Sequence, residues 1–384
     1  MTRVGAGLST AVTSAVAAAE AARVAADGLA GANVDLAFLF LTPQHLDAAA
    51  DAAETVRGAL SPRHLLGCVA EGVVAGKREL ETGPAVSVWA ASLPGALIRT
   101  FHVAGEEDFL AAEDLPDLGA PKLVTLLVDP FTYPAGTLLE HLNVAYPGIP
   151  LVGGIAAGGG RPGAQALVLD GEIHAEGAVG AALEGVSVEA VVSQGCAPIG
   201  RDSVITSAED NVIFELAGQP ALERLRDEIG ALSASQQRLA TRGLLAGLVI
   251  DENKPEYGRG DFLMRGILGA DEESGAIAIG EQVRVGQTIR FHVRDADSAD
   301  ADLRLALGEI LGDTAARPAG ALLFTCNGRG SHMFRAPDHD AAALAAALGR
   351  PAVAGFFCGG EIGPVGGRSF LHGFTATMAV FLDS

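Results

Sequence analysis

Gly320-Ala-Leu-Leu-Phe-Thr-Cys-Asn-Gly-Arg-Gly330 is the stretch whose reading decides the fold. It is answered by Val353-Ala-Gly-Phe-Phe-Cys-Gly-Gly-Glu-Ile-Gly-Pro-Val-Gly-Gly367. Ala321 to Thr325 is a short apolar run without charge, which reads as a buried strand. It breaks into Cys326, Asn327, Gly328, Arg329 and Gly330, where glycines allow backbone angles closed to other residues. The second stretch is another apolar strand entering a loop that carries Glu361. Strand ends that carry Arg, Asn, Cys and Glu among glycines make poor core and reasonable binding sites, because ligands sit at strand ends.

The same pattern is found elsewhere along the chain. Gly67-Cys-Val-Ala-Glu-Gly72, Gly153-Gly-Ile-Ala-Ala-Gly158 and Gly355-Phe-Phe-Cys-Gly-Gly360 align as glycine, any residue, apolar, Ala or Cys, any residue, glycine. Each follows a strand and a helix at a similar offset: Leu36 to Gly67, Leu123 to Gly153, Leu322 to Gly355. A fourth, weaker unit without the glycines runs from Val212 through Ile250 to Leu268. The expected fold is therefore α/β, with repeated strand–helix–strand–strand units forming mixed sheets, helices on their faces, and two domains. The expected divisions are an N-terminal helix within 1–33, a first domain at 34–220 and a second at 221–384. Between Gly275 and Arg294, alternating Ile277, Ile279, Val283 and Val285, then Ile289, Phe291 and Val293, read as a hairpin. A helix with Leu303, Leu307 and Ile310 on one face follows it.

Composition narrows the function. The 384 residues carry 47 Asp plus Glu against 26 Lys plus Arg, a net charge of −21. Such a chain repels nucleic acid and anionic membrane, and it contains no basic run. No stretch of about 20 apolar residues is present to span a bilayer. The alanine-rich N-terminus is interrupted by Glu20 and Arg23 and reads as an amphipathic helix from Thr10 to Asp27, not as a signal peptide. Four widely spaced cysteines, Cys68, Cys196, Cys326 and Cys358, indicate neither a zinc site nor a disulfide framework. The expected protein is cytoplasmic and binds no metal or cofactor. Gly158 to Gly160 are followed by Arg161-Pro162 and not by the Lys-Ser/Thr of a phosphate loop, and Gly328 to Gly330 fails the dinucleotide fingerprint.

Gly258-Arg-Gly-Asp-Phe-Leu263, Val283-Arg-Val-Gly-Gln-Thr288, Phe291-His-Val-Arg-Asp295, Cys326-Asn-Gly-Arg-Gly330, the glycine-rich run from Gly355 to Gly367 and Phe370-Leu-His-Gly-Phe-Thr375 together resemble the FIST (F-box and intracellular signal transduction) proteins. These pair a FIST N with a FIST C domain. The resemblance implies an intracellular sensory module in signal transduction that binds a small ligand, amino-acid-like or another small anionic metabolite. It also implies a signalling protein as partner. It supplies no catalytic residues.

The residues themselves nominate the site. A guanidinium at Arg329, framed by Gly328 and Gly330, suits a carboxylate or phosphate. Arg259 and Asp261 form a second glycine-framed group, although a turn role serves them equally. Glu361 can meet a ligand amine or cap backbone amides. Asn327, Cys326 and Cys358 complete the candidate ligand set. Two other functions compete with binding. One is a hydrolase or transferase acting on an amide or acyl group through a Cys326 nucleophile, with His332, His339 or His372 as base. The other is an interaction scaffold without ligand.

Overall fold

The computed structural model describes residues 1–104, 115–241, 243–313, 316–349 and 352–383. They form two compact units. One comprises Met1–Ser193, Leu303–Leu371 and Thr375–Ser384; the other comprises Gln194–Asp302 and His372–Phe374. The chain thus leaves the first unit and returns to it.

The first unit opens with β1 (Arg3–Ser9), α1 (Ser14–Leu29), β2 (Leu36–Leu41), a 3-10 turn (Pro43–Ala48), α2 (Ala49–Leu60), β3 (His64–Val69), β4 (Val73–Ala75), β5 (Arg78–Leu80) and β6 (Val86–Ser92). It continues with β7 (Leu97–Val103), β8 (Leu123–Val128), α3 (Ala135–Ala145), β9 (Leu151–Ile155), β10 (Leu167–Leu169), β11 (Glu172–His174), β12 (Ala178–Glu184) and β13 (Val188–Gln194). The second unit holds β14 (Cys196–Glu209), β15 (Val212–Leu216), β16 (Gln219–Pro220), α4 (Ala221–Gly230), α5 (Ala234–Ala240), β17 (Leu244–Val249), β18 (Phe262–Asp271), β19 (Ala276–Ile279) and β20 (Thr288–Arg294). The last stretch is α6 (Ala296–Asp313), β21 (Arg317–Cys326), α7 (Gly330–Met333), α8 (His339–Leu348), β22 (Val353–Cys358), β23 (Glu361–Val365), β24 (Arg368–His372) and β25 (Thr375–Asp383).

Three sheets of the first unit share one strand order: β1-β6-β2-β3-β10-β11, β7-β12-β8-β9-β23-β24 and β13-β25-β21-β22-β4-β5. At the centre of each is a parallel pair joined by a crossover helix: β2 with β3, β8 with β9, β21 with β22. Each short hairpin leaves its own sheet. β4–β5 joins the third sheet, β10–β11 the first, and β23–β24 the second. The exchange is cyclic, so no one sheet closes without residues from another.

The glycine signature is the device that permits this. A Cβ at Gly67, Gly153 or Gly355 would lie 2.2, 1.8 or 1.7 Å from the carbonyl of the paired Leu39, Leu126 or Leu323. The final glycine of each signature carries the chain onto a neighbouring sheet: Gly72 O accepts from Phe357 N, Gly158 N donates to Val69 O, and Gly360 O accepts from Ile155 N. Gly355→Ala is therefore expected to lose about 1–3 kcal/mol through overpacking. Gly58→Ala, in a helix with open space at its Cβ, should be neutral or gain up to about 1 kcal/mol. Urea denaturation of the two variants checks this, and equal stability would refute the role given to Gly355.

Inner faces of the three sheets share one core, in which Phe40 meets Phe356 with ring centroids 5.2 Å apart and Trp89 meets Phe381 at 4.9 Å. Helices cover the outer faces: α1 and α2 on the first sheet, α3 on the second, α6 and α8 on the third. The N-terminal helix begins at Ser14, and a strand, β1, precedes it. Its alanines pack on that strand, where Gly5 and Gly7 leave room for the Ala25 and Ala21 carbonyls.

Two expectations are corrected. The weaker fourth unit keeps the order strand, helix, strand, strand in β15, α4, β17 and β18, but lacks the parallel pair of the other three, because β17 pairs antiparallel with both β18 and β20. Residues 275–294 are not a hairpin. β19 pairs with β15 and β18, while β20 pairs with β14 and β17. The alternation at Ile277, Ile279, Ile289, Phe291 and Val293 marks buried faces correctly, but β19 pairs back onto the preceding β18 and β20 onto more distant strands, not onto each other. Among the described residues, no helix is long and apolar enough to cross a membrane.

Candidate functional site

Cys326 and Cys358 end two parallel strands and are direct register partners. The chain then turns tightly: Asn327 N donates to Cys358 O at 2.9 Å, Gly328 N to Cys326 Sγ at 3.4 Å, and Arg329 N to Cys326 O at 2.9 Å. Gly330 adopts φ +52°, and a Cβ there would strike the Glu81 carboxylate at 2.7 Å. Glu81 in turn accepts from Ser331 N and Oγ. The glycine thus makes room for this latch on the β4–β5 side.

Arg329 lies inside the protein, wholly buried. Its Nε donates to Asp340 Oδ2 at 2.7 Å and its Nη2 to Asp340 Oδ1 at 2.8 Å. Phe334 lies 5.2 Å from the guanidinium carbon. Asp340 also accepts from Thr325 Oγ1 at 2.7 Å, and His339 Nδ1 stands 2.9 Å away. Burial would raise the Asp340 carboxyl, but Arg329 outweighs it and holds the group well below the usual carboxylate range. Glu79, on the hairpin from the first sequence stretch, accepts from Ala341 N at 2.8 Å at the start of α8. Burial and the nearby Asp340 charge push Glu79 up to about 7.

Glu361 opens β23, paired with Gly154 of the second sheet. The partner must be glycine, since a Cβ at 154 would sit 2.3 Å from Cys358 Sγ. Glu361 is wholly buried. Its Oε2 accepts from Thr375 N at 3.1 Å and Thr375 Oγ1 at 2.8 Å. Among the described residues Oε1 has no hydrogen-bond partner. Burial raises the carboxyl to about 8, opposed by the Thr375 donors, the Cys326 thiol and the Arg329 charge. Burial, and next the Glu361 charge, lift the Cys358 thiol well above its ordinary value, and burial does the same at Cys68. None of the four cysteines is in a disulfide.

Arg329, Cys326, Asn327, Gly328, Gly330, Cys358 and Glu361 thus come together where β21, β22 and β23 meet. Arg259 and Asp261 lie in the second unit. There Arg259 Nε engages Asp302, while Asp261 accepts from Gly258 N at 2.8 Å and pairs with Lys254. His372 is also assigned to the second unit, and His332 is exposed. Asp340, Glu79 and Thr375 escaped the sequence reading. An acid in the first turn after the Arg-Gly pair was the one available signal for Asp340. Nothing in the linear sequence brings Glu79 near it.

Strand register adds a comparison internal to the chain. Opposite the residue that follows each signature glycine, Glu361 occupies the position of Val73 and Leu167 in the other two hairpins. By the same count Cys358 matches Ala70 and Ala156, Thr325 matches Leu41 and Val128, and Thr375 matches Ala85 and Gly177. At these positions polar and ionisable groups are found in the third corner, whereas the position of Cys326 is polar in all three, with buried Thr42 and Asp129 as its counterparts.

The FIST N domain model matches residues 35–219 and the FIST C domain model residues 221–364. The chain belongs to the FIST family. Domains of this family are associated with signal transduction and sensing. The uncharacterized protein Rv0628c of Mycobacterium tuberculosis is 47% identical over 385 residues, covering 99% of this chain and 100% of its own length. The uncharacterized protein Mb0898c of Mycobacterium bovis is 45% identical over 385 residues, covering 99% of each.

Proposed function

We propose that this chain is a cytoplasmic sensory module that takes a small amino-acid-like ligand at the third corner and performs no chemistry on it. The observation that carries this reading is Glu361. A carboxyl group occupies a position that is valine or leucine in the two corresponding hairpins, and its Oε1 is buried without a hydrogen-bond partner among the described residues. Such a group costs stability, so its presence points to a use. On binding, the carboxyl would give its proton to solvent and Oε1 would accept from a ligand ammonium, with Cys326 beside it. Arg329 acts as a positioning group in this reading. Two of its donors are already held by Asp340, and the pair fixes the Cys326–Gly330 turn. The thiol raised by burial at Cys358 favours binding over nucleophilic catalysis there. The three sheets of one strand order descend, in this reading, from duplication, with the ligand site kept in one corner only. A partner protein carries the output.

The test is thermal melting of the protein against amino acids and small amines, followed by calorimetric titration of the best hit. A ligand at a hundredfold excess over its Kd stabilises by about 2.7 kcal/mol. Glu361→Gln should abolish that shift while remaining folded. A panel without any shift, or a shift that Glu361→Gln leaves intact, would overturn the assignment.

A further inference from the structure

We propose that Cys326 and Cys358 are a hydroperoxide-sensitive thiol pair, closing to a disulfide through a sulfenic acid on Cys326. This concerns the same corner as the ligand reading but does not depend on it. Four features motivate it. The two cysteines are direct register partners on adjacent parallel strands, so they share one face of the sheet with backbones about 4.8 Å apart, inside the Cα range that a disulfide spans. They differ in surroundings: Cys326 retains 7% exposure and Cys358 none. Cys326 Sγ accepts from Gly328 N at 3.4 Å and interacts with the charge of Arg329. Finally, Glu361 stands beside both sulfurs, and its Oε1 has no hydrogen-bond partner among the described residues.

The chemistry balances with a hydroperoxide as oxidant. Cys326 sulfur attacks the distal peroxide oxygen. The O–O bond breaks, an S–O bond forms, and alcohol or water leaves. Cys358 sulfur then attacks the sulfenic sulfur, forming S–S and breaking S–O, while its proton passes through Glu361 to the departing hydroxide, which leaves as water. Two thiols and one hydroperoxide become one disulfide, one alcohol and one water. Cys358, buried and held as thiol, is a poor first attacker of peroxide and suits the second role. The small exposure of Cys326 selects a small hydroperoxide.

Hydrogen peroxide is the probe. The full chain is reduced, exposed to peroxide at neutral pH, alkylated and digested with trypsin. The cysteines fall in separate peptides, 305–329 and 336–368, so a disulfide appears as a cross-linked pair that reductant separates. In Cys358→Ser the sulfenic acid should persist on Cys326 and be trapped by dimedone. In Glu361→Gln, which cannot relay the proton from Cys358 to the departing hydroxide, the sulfenic acid should accumulate and the disulfide form more slowly by about a hundredfold. Oxidation confined to Cys196, or peroxide modification of Cys326 with no cross-linked pair in the wild type, overturns the proposal. The wild-type digest alone decides the outcome should a variant fail to fold. Failure here leaves the melting shifts with amines untouched, and their failure leaves this digest untouched.

Discussion

Arg329→Ala should lose about 3–5 kcal/mol of stability, the usual cost of removing one partner from a buried ion pair. The loss comes less from the missing bonds than from what stays behind. Asp340 would remain ionised, wholly enclosed, with only Thr325 and His339 beside it and Glu79 nearby as a second acid. Arg329→Lys should recover part of the loss, since a charge remains but the planar two-point contact does not. Arg329→Met combined with Asp340→Leu should cost less than Arg329→Ala alone, because neither charge is then stranded. Urea denaturation of the four proteins measures this. A loss below about 1 kcal/mol for Arg329→Ala would mean that the pair is solvated and carries no more than a surface bridge. The same reasoning explains why Glu361, not Arg329, is the residue to alter in a binding test: a destabilised Arg329 variant would lose ligand for the wrong reason.

Much of this corner was legible in the sequence because the signals there are local. An apolar run that ends in Cys-Asn-Gly-Arg-Gly can only be a strand entering a turn. The spacing of Gly67, Gly153 and Gly355 reported three like elements, since each glycine answers one carbonyl on the adjacent strand. What stayed hidden is non-local. The exchange of hairpins joins Glu79 and Glu81 to a loop some 250 residues away, and no periodicity encodes a partner at that distance. Arg329 was legible as a fixed guanidinium and was assigned to a ligand. The acid that fixes it, Asp340, sits one helix start further on, where a capping role is the obvious reading. β1 was missed because Gly5 and Gly7 weaken strand propensity, although they are the residues that let α1 approach.

Glu361→Gln should alter the pH dependence of stability more than any other single change. The sign follows from where the proton sits. The carboxyl has a folded value of about 8 against 4.5 for the free group. Between these limits the folded protein keeps a proton that the unfolded chain has released. Folding then requires proton uptake, so stability is highest below about pH 4.5 for this group and falls as pH rises towards 8, at about 1.4 kcal/mol per pH unit. Glu79 adds a contribution of the same sign up to about pH 7. Asp340 acts in the opposite direction, but only at the acid end: its depressed value means that its contribution is lost as pH falls below the ordinary carboxylate range. Wild type should therefore weaken steadily from about pH 5 to 8, whereas Glu361→Gln, equal in shape and without charge, should show only the Glu79 part of the slope. At about pH 8 the variant should be the more stable by on the order of 3 kcal/mol. At about pH 5 the two should nearly coincide, because wild-type Glu361 is then protonated and the amide oxygen can take the same Thr375 donors. Urea denaturation at several pH values measures both curves. Parallel curves would mean that Glu361 is solvated in the native state, and the case for a functional carboxylate in this core position would fall with it.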